Sequence, residues 1–240
     1  MRRRDSEKKS FGRITSGLIA QDNLSLKTIE FVCLQLPAWR DDPNRPFEES
    51  EPKLNSQLCD FLDAQAKNLF SMVRFKHEEP QSGRRTVDLS AKPVEGITIE
   101  ANLYTIYDPI VVFECKRLPA PSSDRETEYV TGGRGHRTGG IQRFKLGLHG
   151  ANLNVVAMIG YIQEDSALVW HGKINGWITD LCNGTLTDDC TWVASEELQS
   201  LTENSSNGTS ICRSNHSRTD GLSNNIEIHH LFVVMSMASS

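Results

Sequence analysis

Residues 109–118 read P-I-V-V-F-E-C-K-R-L, an apolar run that ends in a carboxylate and an ammonium two positions apart. On a β-strand successive side chains alternate faces, so Val112, Glu114 and Lys116 point one way and Val111, Phe113 and Cys115 the other. The pattern predicts a strand with one face in a core and a charged pair near the end of the opposite face. Burying a charge is costly unless it is paired or holds a metal. A strand this apolar therefore needs a reason to carry Glu114-Cys115-Lys116.

The elements around it can be placed from spacing. Residues 51–70 carry Leu54, Leu58, Phe61, Leu62 and Leu69 at three- and four-residue steps, the stripe of an amphipathic helix, with Pro52 suited to its first turn. Residues 72–77 alternate apolar and basic, Pro80-Gln81-Ser82-Gly83 supplies a turn, and residues 85–90 return as a second strand. A further β-like excursion covers 94–107. After 118 come a Pro/Ser/Asp loop, residues 125–130 and a glycine-rich bend, T-G-G-R-G-H-R-T-G-G (131–140). Residues 141–149 have helical spacing at Ile141, Phe144 and Leu148; 154–163 form a buried strand, 166–182 a helix with Trp170 and Trp177, and 226–234 a last strand. Residues 25–36 suit a strand or a short helix ended by Pro37, and 183–224, rich in Ser, Asn and Thr, read as loop with some disorder. This gives an N-terminal extension over 1–47, a core over 48–182, and a polar region with a closing strand over 183–240 that completes the same domain. The class is α/β, a mixed central sheet flanked by helices.

At 240 residues, with 38% hydrophobic and 24% charged residues, the chain suits one globular domain. The basic start Met1-Arg2-Arg3-Arg4-Asp5 has no apolar segment behind it, so no secretory signal is expected. Cys33, Cys59, Cys115, Cys182, Cys190 and Cys212 form no dense framework and suit free thiols in a reducing cytoplasm. Cys182, Cys190, Cys212 and His216 lack a paired C-x-x-C unit and make a poor zinc set. His229 and His230 alternate faces of the last strand, and packed histidines are expected there. The net charge is −5, yet the window from Lys116 to Lys145 holds seven basic residues against Asp124, Glu126 and Glu128. An acidic chain with one basic window suits a polyanion site confined to one face. The Arg2–Arg4 cluster reads as a tail or a steering arm.

Asp88, in T-V-D-L, lies on the strand before the charged one. Two carboxylates on neighbouring strands with a lysine beside them suit Mg²⁺ or Mn²⁺ and phosphoryl chemistry, whereas Glu114 and Lys116 alone also suit a plain salt bridge. The order helix, hairpin, charged strand, helix, strand over 51–163, with Asp88 and Glu114-Cys115-Lys116 so placed, resembles the PD-(D/E)xK, or restriction-endonuclease-like, nuclease superfamily. The resemblance implies an αβββαβ core and Mg²⁺-dependent hydrolysis of DNA, RNA not being excluded. It implies metal ligands at Asp88 and Glu114, with the Cys115 carbonyl a further donor and Glu51 the nearest match to a first-helix glutamate. Lys116 would be the catalytic lysine and Gln142 would position water. The usual proline before the aspartate is Val87 here. Arg117, Arg125, Arg143 and Lys145 would contact the nucleic-acid backbone. Small members imply restriction or antiphage defence, with a protein partner supplying recognition or ATPase activity, and homo-oligomers are common among them. The rival expectations are an inactive nuclease-like subunit that binds nucleic acid or scaffolds a complex, and an ordinary interaction domain.

Overall fold

The computed structural model describes residues 21–99, 102–219 and 225–235. The Arg2–Arg4 cluster, with the rest of 1–20, lies outside the described residues. In chain order the elements are α1 (Gln21–Arg40), α2 (Glu51–Leu69), β1 (Val73–Pro80), β2 (Thr86–Pro93), β3 (Ile97–Ile99), β4 (Asn102–Tyr104) and β5 (Val111–Leu118). There follow a 3₁₀ segment (Ser123–Tyr129), α3 (Gly140–Lys145), β6 (Val155–Ile162), α4 (Ala167–Cys182), a 3₁₀ turn (Ala194–Glu196), β7 (Thr202–Asn204), β8 (Thr209–Ser217) and β9 (Asn225–Val234). No helix among the described residues is long and apolar enough to cross a membrane.

Seven strands form one sheet in the order β1-β2-β5-β6-β9-β8-β7, while β3 and β4 pair separately. β1, β2 and β5 run as an antiparallel meander. The chain then crosses through α3 to β6, which is parallel to β5, and through α4 to the far side, where β9 is parallel to β6 and β8 and β7 return antiparallel. The parallel centre is covered on both faces, as parallel strands require. α1 and α2 pack with Phe75, Val111, Phe113, Cys115 and Tyr161 on one face. α3, α4 and the first 3₁₀ segment pack with Val112, Leu118, Met158 and Phe232 on the other.

Three features differ from the sequence expectations. Residues 21–40 are not an extension outside the core but a 20-residue helix within it, with Leu24, Ile29, Val32, Leu36 and Trp39 buried. Pro37 falls inside this helix, which runs on to Arg40. Arg40 ties the helix end to the sheet through the carbonyls of Asn207 (2.8 Å) and Val234 (3.2 Å). Secondly, 183–224 holds β8, whose inward row is Ser210, Cys212, Ser214 and His216. Small polar residues fill that row, so the strand has no hydrophobic alternation to read. Thirdly, the helix expected over 141–149 stops at Lys145, because Gly147 turns left-handed with φ of 62°. The charged face of β5 is itself buried: Glu114 is 0% and Lys116 7% exposed.

Candidate functional site

β2 and β5 pair only from Ala91↔Val111 to Leu89↔Phe113. The next step of that register would set Asp88 opposite Glu114, two carboxylates face to face, which an antiparallel pair disfavours. The strands part there. The edge of β5 beyond the fork keeps main-chain donors that β2 no longer meets, and side-chain carboxylates take them. Asp88 Oδ2 accepts from the Cys115 N–H at 2.7 Å, and Glu51 Oε2 from the Arg117 N–H at 2.9 Å. The N–H and C=O of one strand residue project to the same edge, so the Cys115 carbonyl faces this fork as well. Glu51 stands in the first turn of α2, and that helix delivers it to the end of β5.

Lys116 lies between the acids, its Nζ 3.1 Å from Glu51 Oε1 and 3.3 Å from Glu114 Oε1. Burial alone would lower the Lys116 ammonium, but Glu114, Glu51 and Asp88 together hold it above its ordinary value. Lys116 is therefore a cation in this arrangement. Glu114 is likewise opposed by burial, yet Lys116, His149 and Arg143 bring it down to about 2. Its Oε1 takes Arg143 Nη1 at 2.5 Å, and its Oε2 faces His149 Nδ1 at 2.9 Å. Asp88 goes the other way: burial first and Glu114 second push it up to about 7, only partly offset by Lys116 and the Cys115 N–H.

The other sequence candidates separate. Gln142 is fully buried, and its Oε1 accepts from the N–H groups of Gly132 (3.1 Å) and Gly139 (3.2 Å). It clamps the neck of the glycine-rich loop rather than facing a water at the fork. A side chain at Gly139 would run into the Thr131 backbone, so the clamp needs glycine there. Its Nε2 is buried without a partner among the described residues. Lys145 is no backbone contact. It is 0% exposed and bound to Glu196 at 2.5 and 2.7 Å and to the Ser217 carbonyl at 3.2 Å. Arg143 is committed to Glu114. Arg125 is exposed and pairs with Glu128 at 2.6 Å. Arg117 is half-buried beside the fork, its Nε without a partner among the described residues.

His149 is the site residue that sequence reasoning missed. Its signal was position: it follows Arg143 by six residues, across the Gly147 turn, so both side chains reach one carboxylate. His230, by contrast, is a packed histidine between Tyr129 and Ser214, as expected. The six cysteines are all free.

Among the described residues no group of three or more His, Cys, Asp or Glu side chains is disposed to hold a metal ion. Two carboxylates and a carbonyl are still a donor set that Mg²⁺ accepts, since it keeps several waters and takes one or two carboxylates. The position of Asp88 favours the fit, because a carboxyl pushed up beside a second carboxylate is one that a cation would relieve. No family model matches the chain, and comparison with curated proteins and with solved structures found no match.

Proposed function

We propose that this chain has a restriction-endonuclease-like core and is a Mg²⁺-dependent phosphodiesterase acting on DNA. The single observation that carries the reading is the Asp88 Oδ2 bond to the Cys115 N–H. It fixes a carboxylate from β2 at the step where Glu114 and Lys116 leave β5. The element order supports it too: a helix, an antiparallel three-strand meander and a crossover to a parallel fourth strand are what the superfamily implies.

Asp88 and Glu114 would hold the metal, with the Cys115 carbonyl completing the protein donors. A divalent ion there would supply a Lewis acid for a phosphate oxygen and a bound water of lowered pKa. Lys116, kept cationic by three carboxylates, offers fixed positive charge to a phosphorane-like transition state and a donor to orient the attacking oxygen. Glu51 sets the lysine's position through Oε1 and holds the strand end through Oε2. His149 and Arg143 keep Glu114 ionised and aimed.

A second reading, a nuclease-like subunit that binds DNA without cutting it, has one observation in its favour: both oxygens of Glu114 already have cationic or imidazole partners. Incubation of supercoiled DNA with the protein and Mg²⁺ separates the two. The enzyme reading expects nicking or linearisation that EDTA, Asp88→Asn and Lys116→Ala each abolish. DNA binding with no cleavage under Mg²⁺ or Mn²⁺ supports the second reading.

A further inference from the structure

Beside the fork lies a shallow cleft of about 350 Å³ lined by Arg45, Phe47, Glu49, Arg117, Gln163 and Met235. Its odd member is Phe47, a phenylalanine left 94% exposed. The segment bearing it is not loose at its base: Gln163 Nε2 donates to the Glu49 carbonyl and to Glu49 Oε2, each at 3.1 Å. Arg45 is anchored too, by the Arg40 carbonyl (3.3 Å) and Glu49 Oε1 (3.2 Å), with its guanidinium 5.3 Å from the Trp39 ring centre. Even so, Arg45 Nη1 and Arg117 Nε are both buried with no partner among the described residues. Buried guanidinium donors of that kind are rarely left unmet.

Two arginines with unmet donors, one bare aromatic ring and one carboxylate that already serves Arg45 and Gln163 make a site of definite chemistry. The guanidinium groups match a phosphate oxygen. The ring matches the flat face of a base, and only a base with a free face can use it. Arg117 joins the cleft to the fork, since its own N–H is held by Glu51.

We infer that this cleft is a subsite for an unpaired nucleotide next to the phosphodiester site, its base stacked on Phe47 and its phosphate between Arg45 and Arg117. The substrate class is then DNA with a single-stranded flank or end, not uninterrupted duplex. The inference rests on the phosphodiesterase reading for the kind of ligand, while its test does not require cleavage.

The test is fluorescence anisotropy with the full chain in EDTA, comparing a labelled duplex carrying a single-stranded overhang with the same duplex made blunt. The overhang is expected to bind more tightly. Phe47→Ala should weaken the overhang complex about tenfold, the loss of one base stacked on an aromatic ring, and leave the blunt complex unchanged. Phe47→Trp should restore binding, with its fluorescence quenched by the oligonucleotide. At 94% exposure neither substitution disturbs packing, and an unchanged thermal midpoint verifies that. Equal affinity for the two duplexes, or an overhang affinity indifferent to Phe47→Ala, overturns the inference. A protein that binds the overhang through Phe47 but never cuts supports the cleft and removes only the enzymatic reading.

Discussion

Asp88 and Glu114 occupy the first register step beyond the end of the β2–β5 pairing, and Asp88 bonds the Cys115 N–H in place of a β2 carbonyl. The strand pairing and the candidate site thus have one cause. Two carboxylates in one register position part the strands, and the gap between the strands exposes the groups a metal would use.

Asp88→Asn keeps a carbonyl oxygen for the Cys115 N–H and removes a charge that burial and Glu114 make unfavourable. The variant should therefore be more stable than the parent at pH 8, by on the order of 1 kcal/mol, or about 2–4 °C in thermal midpoint for a chain of this size. It should also bind Mn²⁺ at least about tenfold more weakly by calorimetry. A variant that binds the ion as well as the parent would remove Asp88 from the metal site.

Glu114→Gln should behave in the opposite sense. Glu114 is 0% exposed and faces Lys116, Arg143 and His149. Neutralising it takes the carboxylate from Arg143 and leaves Lys116 with Glu51 as its remaining ion-pair partner, a loss of about 3 kcal/mol. Urea denaturation should show the midpoint falling while that of Asp88→Asn rises. If both variants shift the same way, the two acids do not have the distinct environments described above.

Much of this was legible in the sequence for a physical reason. Leu54, Leu58 and Leu62 repeat at helical spacing, and Val111 to Phe113 is too apolar for anything but a buried strand, so α2, β5 and the meander between them could be placed from spacing. Asp88 and Glu114 stood out because they are charges in apolar company. The parts that could not be read are those whose burial is polar. β8 turns Ser210, Ser214 and His216 inward, and Lys145 lies in the core against Glu196. A buried ion pair between residues 51 apart in the chain has no local signature, and Lys145 in a basic window looks like any surface lysine. His149 was hidden likewise, its partner being 35 residues away. Pro37 marked an end to a helix that tertiary packing carries through to Arg40.

Lys145 gives a third prediction. Lys145→Met leaves the Glu196 carboxylate, 2% exposed, without its main counter-charge, so the single variant should lose about 3–5 kcal/mol. Adding Glu196→Gln should recover most of that, because the double change removes the pair together and retains volume. DNA affinity of the refolded double variant should match the parent. A Lys145→Met protein of unchanged stability but weaker DNA binding would return the residue to the surface role first expected of it.

The last prediction concerns acid. His230 is fully buried with Tyr129 Oη 2.9 Å from its Nδ1 and Ser214 Oγ 2.8 Å from its Nε2, and Ser214 Oγ also lies 2.7 Å from His216 Nε2. One assignment satisfies all three of these contacts. Tyr129 donates to His230 Nδ1, the His230 Nε2–H donates to Ser214, Ser214 donates to His216 Nε2, and the His216 Nδ1–H points toward Glu196, 3.7 Å away. This chain holds both imidazoles neutral. Burial, then the neighbouring histidines, pull His230 well below its ordinary value, and burial lowers His216 as well. The sign follows from the unfolded chain, where each histidine titrates at about 6.5. Above that pH both states are neutral and stability is whole. Below it the unfolded state binds protons that the folded state refuses, so stability falls by up to about 1.4 kcal/mol per pH unit for each histidine. Asp88, pushed up to about 7, gains stability over the same range and opposes this. The measurement therefore belongs in the Asp88→Asn variant, whose urea midpoints should decline steadily from pH 6.5 to pH 5, before most carboxylates titrate. The His230 ring signals in NMR should stay in their neutral positions throughout. A flat stability profile over that range, or a His230 ring titrating near pH 6.5, would refute the neutral chain.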